Sequence, residues 1–180
     1  MASGIPAVVL AAGASSRLGQ PKALVEWDGE TLVGRAVRLL KEASCKSITV
    51  VTRSELQVDV MLSCPDANVV INPLPEDGRV GSLQVGILSL IGDKGKIPRR
   101  ILMVPVDRCG WEVSTVKTLL EYNVNTSPNP SGHPLLLCEV EKILTLPKDA
   151  SLRDEIEIER VEAAGIHLNI DLPSDLEALQ

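Results

Sequence analysis

Along most of this chain, short apolar runs alternate with segments whose apolar residues recur at helical spacing. That alternation restricts the fold more than any other feature. Ile5–Leu10 is an apolar run ending at Ala-Ala-Gly, and Leu32, Ala36, Val37 and Leu40 then mark one face of a helix. Ser47–Thr52 reads as the next strand, Val69–Ile71 follows a weaker helix, and Leu83, Ile87 and Leu90 form another helical face. Arg100–Val106 is a strand, and Val113, Val116, Leu119 and Leu120 repeat the helical spacing. This order lays parallel strands under covering helices. The expected fold is one Rossmann-like α/β domain over residues 1–180, three layers (α/β/α) around a mostly parallel, mixed sheet.

The pattern loosens toward the C-terminus. Asn123–Gly132, rich in Asn, Pro and Ser, reads as an irregular excursion over the sheet edge. The stretch C-terminal to it is too short to fold alone, so a single domain is expected. Leu135–Cys138 is predicted as a strand, followed by one or two helices. Ile166–Ile170 reads as a further strand, and Pro173 opens a short final helix, a favoured first-turn position for proline.

Composition removes several function classes. The net charge of −6 argues against a general nucleic-acid binder, because phosphate backbones reward basic faces. With no Phe, the core must be Leu, Ile, Val and Ala, and Trp27, Trp111 and Tyr122 cannot make a base-stacking platform. Any nucleobase must be read by backbone groups and small polar side chains. Cys45, Cys64, Cys109 and Cys138 are dispersed without a CxxC pair, so neither a zinc site nor a disulfide framework is indicated. No run approaches the roughly 18 apolar residues of a membrane span, and the N-terminus has neither a basic leader nor a signal-peptide core. A reduced, cytoplasmic protein is expected.

Chemistry concentrates in Leu10-Ala-Ala-Gly-Ala-Ser-Ser-Arg-Leu-Gly-Gln-Pro-Lys22. The segment leaves the C-terminal end of the first strand, where open α/β sheets bind ligands. Ala11, Ala12 and Gly13 let a ligand approach the backbone. Ser15 and Ser16 add hydroxyls, and Arg17 and Lys22 supply cations suited to a triphosphate tail. Neither the Walker pattern nor the dinucleotide GxGxxG is present. Composition alone favours a solvated surface loop.

The same segment resembles the motif LAAGxSxRxGxPK, which opens the nucleotidyltransferase superfamily that builds nucleotide sugars, diphosphocytidyl methylerythritol and molybdenum-cofactor dinucleotides. Every fixed position is matched. Val70-Ile-Asn-Pro73, Gly78 and Gly81-Ser-Leu83 are similar to the nucleobase-binding portion, and Val104-Pro-Val-Asp107 to the strand ending in an acidic metal ligand. Gly132-His-Pro134 and Asn169–Leu176 resemble C-terminal elements of the molybdenum cofactor cytidylyltransferases in its MobA-like branch.

The resemblance implies transfer of CMP from CTP to a phosphorylated small-molecule acceptor, molybdopterin foremost, with release of pyrophosphate. It implies Mg2+ held by Asp107 and Asp171, catalytic roles for Arg17 and Lys22, and a protein partner that receives the finished cofactor. The nucleotide would be bound by Leu10, Ala11, Ala12, Gly13, Ser15, Ser16, Arg17, Lys22, Asn72, Gly81 and Ser82, and the acceptor by His133. Asn169 would orient the ion or a water. Because the attacking phosphate is already anionic at neutral pH, the reaction needs positioning and charge neutralisation rather than a general base.

Each of these residues also has a plain structural reading. Asp107 can form a turn, Asp171 can favour a helix start, Asn72-Pro73 can be a turn, and Ser82 an N-cap. Cys109 reads as a small buried side chain, and His167 as a strand residue without a role. Arg108-Cys109 stands where Gln-Pro is usual, Ala150 follows Asp149 with Arg153 later, and Leu172 replaces Thr, all on the acceptor side. The alternatives are a guanylyltransferase (pattern LAGGxSxRMGxDK, disfavoured by Ala12 and Pro21), a sugar-phosphate nucleotidyltransferase, methylerythritol phosphate cytidylyltransferase, and a non-catalytic nucleotide-binding accessory protein.

Overall fold

Strand β1 (Ala7–Ala11) is buried along its whole length. Ala7, Val9 and Ala11 face one core, and Val8 and Leu10 face the other. An aliphatic run buried on both faces is what a central parallel strand requires. The computed structural model describes residues 4–92 and 95–180. In it, β1 pairs in parallel with β4 (Ile48–Thr52) on one side and β6 (Ile101–Pro105) on the other. Strand β5 (Asn68–Ile71) extends the parallel set beyond β4. Beyond β6 the direction reverses at β8 (Leu135–Leu137), followed by β7 (Thr126–Asn129) and β9 (Glu159–Glu162). The sheet order is β5-β4-β1-β6-β8-β7-β9, with a separate ribbon of β2 (Glu26–Trp27) and β3 (Glu30–Thr31).

Helices cover both faces, as the alternation predicts. On one side Val33, Val37 and Leu40 of α1 (Leu32–Glu42), Val60 of α2 (Gln57–Ser63) and Val116 and Leu119 of α4 (Val113–Leu119) pack on the sheet. On the other side stand Leu83 and Ile87 of α3 (Arg79–Ile91) and Ile143 of α5 (Val140–Thr145). Gly86 lets α3 lie directly on β1, because a Cβ there would overlap Val8 Cγ1 and come within 3.0 Å of Val51 Cγ2. This close seat carries the N-terminus of α3 to the C-terminal end of β1. A third cluster, Leu18, Val25, Leu32, Cys109, Ile170 and Leu179, ties the segment after β1 to the C-terminal tail. A short helix α6 (Leu152–Glu155) precedes β9. Among the described residues no helix is long and apolar enough to cross a membrane.

Two expectations are corrected. Asn123–Gly132 is not wholly irregular, since β7 lies within it; Pro128 is admitted there because the strand is short and its partners are β8 and the outermost strand β9. Ile166–Ile170 is not a strand. Its amides make single bonds, Ile166 N to Gly110 O and Ile170 N to Asp107 O, and no ladder forms. The last strand is instead Glu159–Glu162, mostly exposed and mixed in polarity, so it gives no apolar signal.

Candidate active site

The loop after β1 is held from behind. Thr52 Oγ1 donates to the Ala11 carbonyl (3.1 Å) and Arg53 Nε to the Ala12 carbonyl (3.2 Å). With the carbonyls engaged, the N–H groups of Gly13, Ala14, Ser15 and Ser16 find no protein acceptor among the described residues. Ser15 adopts φ 54°, its carbonyl accepts from Gly19 N (3.2 Å), and its Oγ accepts from Lys22 N (3.1 Å). Successive free amides in a tight loop make a concave anion-binding surface.

Lys22 starts a one-turn 3-10 helix, Lys22–Leu24, and turns its ammonium back under the loop. Its Nζ lies 3.2 Å from Asp107 Oδ2 and 2.9 Å from Asp171 Oδ1. The three side chains are only 15 to 19% exposed. Arg17, 72% exposed, pairs with the other Asp171 oxygen at 3.0 Å. Asp107 follows β6, and the Ile170 N bond to its carbonyl draws the tail alongside it. Asp171 is fixed by Asp175, whose Oδ2 accepts from Asp171 N (2.9 Å) and Leu172 N (2.7 Å) at the entrance to the 3-10 helix Pro173–Leu179. The Leu172 and Asp171 amides hold the Asp175 carboxyl below the usual carboxylate range.

Leu10, Ala11, Ala12, Gly13, Ser15, Lys22, Ser82 and Asp107 thus line one cleft of about 160 Å³, joined by Gly78 and Arg79. Gly78 takes φ 124° with Lys148 O so close that a Cβ would stand 2.7 Å from it. Two carboxylates sharing one cation leave remaining coordination positions to phosphate oxygens and water, the donor set that magnesium takes. No group of three or more His, Cys, Asp or Glu among the described residues forms a protein-only metal cage.

Ser16, Asn72, Gly81 and Asn169 do not line this cleft. Ser16 is exposed outside the cleft lining. Asn72 is buried behind it, donating to Ser82 Oγ (3.0 Å) and accepting from Leu74 N (3.0 Å), so it positions Ser82 and the following turn. Ser82 lies within the first turn of α3 rather than capping it; Gly78 is the cap. Gly81 faces Lys148, to whose carbonyl its amide donates at 3.2 Å. Asn169, expected to orient the ion or a water, is exposed on a segment that is not a strand.

His133 lines a second cavity of about 370 Å³, which shares Arg79 with the cleft. It is 3% exposed, and its Nδ1 is buried without a hydrogen-bond partner. Burial, reinforced by Arg108, Arg79, Arg153 and His167, lowers its pKa to about 3, so the imidazole is neutral. Cys109 is a buried thiol pushed up to about 11 by desolvation, in line with a packing role.

Sequence reasoning missed Thr52, Arg53 and Asp175, which act by holding loops. Of these only Asp175 left a trace, two residues after Pro173 in the first turn of a helix.

Residues 7–158 match the MobA-like NTP transferase domain family. The bifunctional IPC transferase and DIPP synthase of Thermococcus kodakarensis is 39% identical over 84 residues, 44% of this chain but 19% of that much longer protein. A molybdenum cofactor guanylyltransferase of Xanthomonas euvesicatoria is 28% identical over 159 residues, 88% of this chain and 72% of the relative. Nicotine blue oxidoreductase of Paenarthrobacter nicotinovorans is 34% identical over 153 residues, 74% and 70% of the two chains. Among solved structures, Rv0371c of Mycobacterium tuberculosis superimposes with a TM-score of 0.80 at 20% identity over 99% of this chain and 98% of that one. The inositol-1-phosphate CTP transferase of T. maritima gives 0.72 at 15% identity over 99% and 94%. At these identities the structures establish the fold, and the family match covers most of the chain. This chain belongs to the MobA-like NTP transferase domain family.

Proposed function

We propose that this enzyme transfers CMP from CTP to a phosphorylated acceptor, with molybdopterin the leading acceptor. The observation that carries the reading is the convergence of Lys22 Nζ on Asp107 and Asp171 beneath a loop of free amides. An acceptor phosphate oxygen forms a bond to the α-phosphorus, the bond from that phosphorus to the β-phosphate bridge breaks, and pyrophosphate leaves. Asp107 and Asp171 would hold a magnesium ion, whose charge offsets that of the phosphates. Lys22, displaced from the carboxylates, and Arg17 bind the phosphate tail together with the Gly13–Ser16 amides. Ser82 Oγ, braced by Asn72, faces the base.

Ala12 and Pro21 favour the cytidine nucleotide, since the guanylyl pattern carries Gly and Asp there. Relatives named molybdenum cofactor guanylyltransferase favour the molybdopterin acceptor while keeping GTP in contention. The name inositol-1-phosphate CTP transferase on a structural neighbour adds inositol phosphate as the competing acceptor.

The test is a thermal-shift panel of CTP, GTP, UTP, ATP and NADPH with magnesium, where saturation at 100 times Kd adds roughly 2.7 kcal/mol. CTP should give the largest shift, and pyrophosphate release should require molybdopterin. A preference for GTP would overturn the cytidylyl assignment. A preference for NADPH would favour the activity in the name of the P. nicotinovorans relative.

A further inference from the structure

The cavity around His133 is basic in a chain of net charge −6. Arg79 reaches it from the start of α3, Arg108 from just after Asp107, and Arg153 from α6. No acidic residue lines it. Elsewhere several arginines are paired with carboxylates: Arg17 with Asp171, Arg38 with Glu30 and Glu42, and Arg53 with Glu55 and Glu76. Arg79, Arg108 and Arg153 have no ion-pair or side-chain hydrogen-bond partner among the described residues. Three guanidinium groups around one hollow repel one another, an arrangement that an anionic ligand relieves by bidentate bonding.

The buried, unpartnered Nδ1 of His133 belongs to the same wall and is a second polar group lacking a protein partner. Buried polar atoms without partners are uncommon in folded chains, so this nitrogen is a candidate hydrogen-bonding group. The floor is apolar, with Leu83, Met103 and Leu135, so a carbon skeleton fits between the charged groups. Arg79 also lines the nucleotide cleft, so the two spaces meet where an acceptor phosphate must reach the α-phosphorus.

We propose that this cavity is the acceptor subsite and that it selects an acceptor carrying a second anionic group besides the phosphate that reacts. Its role toward the acceptor rests on the transfer reading above; the dianion selectivity rests on the cavity alone. Arg79 takes the reacting phosphate, Arg108 and Arg153 the second anion, and His133 a neutral polar atom of the skeleton.

Isothermal titration of the full chain with glycerol 3-phosphate and 3-phosphoglycerate, which differ by one carboxylate, tests this. Each is titrated with and without CDP and magnesium. 3-Phosphoglycerate should bind at least about tenfold more tightly, the scale of one charge-assisted contact, and CDP should not displace it. Arg108→Gln and Arg153→Gln should each bring the two probes toward equal affinity, while Arg99→Gln, at an exposed position outside the cavity, leaves the preference intact. Equal binding of the probes, no binding of either at millimolar concentration, a preference surviving both cavity variants, or displacement by CDP would each overturn the proposal. An arginine-dependent preference in a protein that fails to bind CDP would sustain the dianion site and sink the cytidine assignment instead.

Discussion

Replacing Lys22 by Ala separates the structural and chemical roles of the ammonium. It removes hydrogen bonds of 3.2 and 2.9 Å to two carboxylates that are each less than a fifth exposed. Breaking a fully buried ion pair costs about 3–5 kcal/mol. Here residual solvent screens the stranded charges and Arg17 still faces Asp171, so the expected loss is about 1–2 kcal/mol, or roughly 2–8 °C in Tm for a domain of this size. The chemical loss is larger. Removing one preorganised charge stabiliser lowers kcat/KM by about 10²–10³-fold. The variant also leaves Asp107 and Asp171 without their shared cation, so manganese or magnesium alone should raise its Tm by more than that of the wild type. Pyrophosphate release and calorimetric melts with and without metal provide the three readouts. Wild-type turnover with an intact fold would make Lys22 a purely structural residue, and an unchanged metal response would refute the shared-cation geometry.

Asp107→Asn should lower kcat by at least about 10²-fold while circular dichroism and metal-free nucleotide binding persist; an unaltered magnesium dependence would remove Asp107 from the metal site. Asp175→Ala, which frees the Asp171 and Leu172 amides, should weaken metal activation by about tenfold or more with little change at saturating metal, and an unchanged activation curve would reduce Asp175 to a helix cap. His133 has a folded pKa of about 3 against an ordinary 6.5, so the unfolded chain binds more protons between those values. Its contribution is fully present above pH 6.5 and is lost as pH falls toward 3, by a few kcal/mol at most; denaturant titrations from pH 7 to 4 should show a shallower acid loss for His133→Gln, and parallel curves would contradict this.

The parallel half of the sheet was legible because β1 and β6 are apolar runs, β4 is wholly β-branched, and α1 repeats its apolar face. The edge beyond β6 was not. β7 contains Pro128 and β9 is Glu-Arg-Val-Glu, so both owe their extended form to neighbouring strands rather than to their own side chains. Tertiary override also explains Ile166–Ile170, whose apolar residues anchor the tail by isolated bonds to Gly110 and Asp107 instead of entering the sheet. In the cleft, the loop from Leu10 to Lys22 was legible through its resemblance to a motif that is contiguous in sequence, although Lys22 bonds to Asp107 and Asp171 far along the chain. Thr52, Arg53 and Asp175 are generic polar residues whose importance lies in the carbonyl or amide they hold across the fold, and no local spacing encodes that.

The position of Arg108 shows how the two clefts are joined. Asp107 lines the cleft and its immediate neighbour lines the cavity around His133, so one turn after β6 borders both. The Arg108 amide donates to Pro105 O at 3.2 Å, which fixes that turn, and Ile170 N bonds to the Asp107 carbonyl from the other side. A change at residue 108 therefore alters the charge of the acceptor side without moving the carboxylate that precedes it. Arg108 stands among this chain's departures from the sequence pattern, with Cys109, Ala150 and Leu172, and it opens onto the same hollow as the displaced Arg153. Two cations directed at one apolar-floored cavity are what the proposed transfer site needs when its acceptor carries additional negative charge.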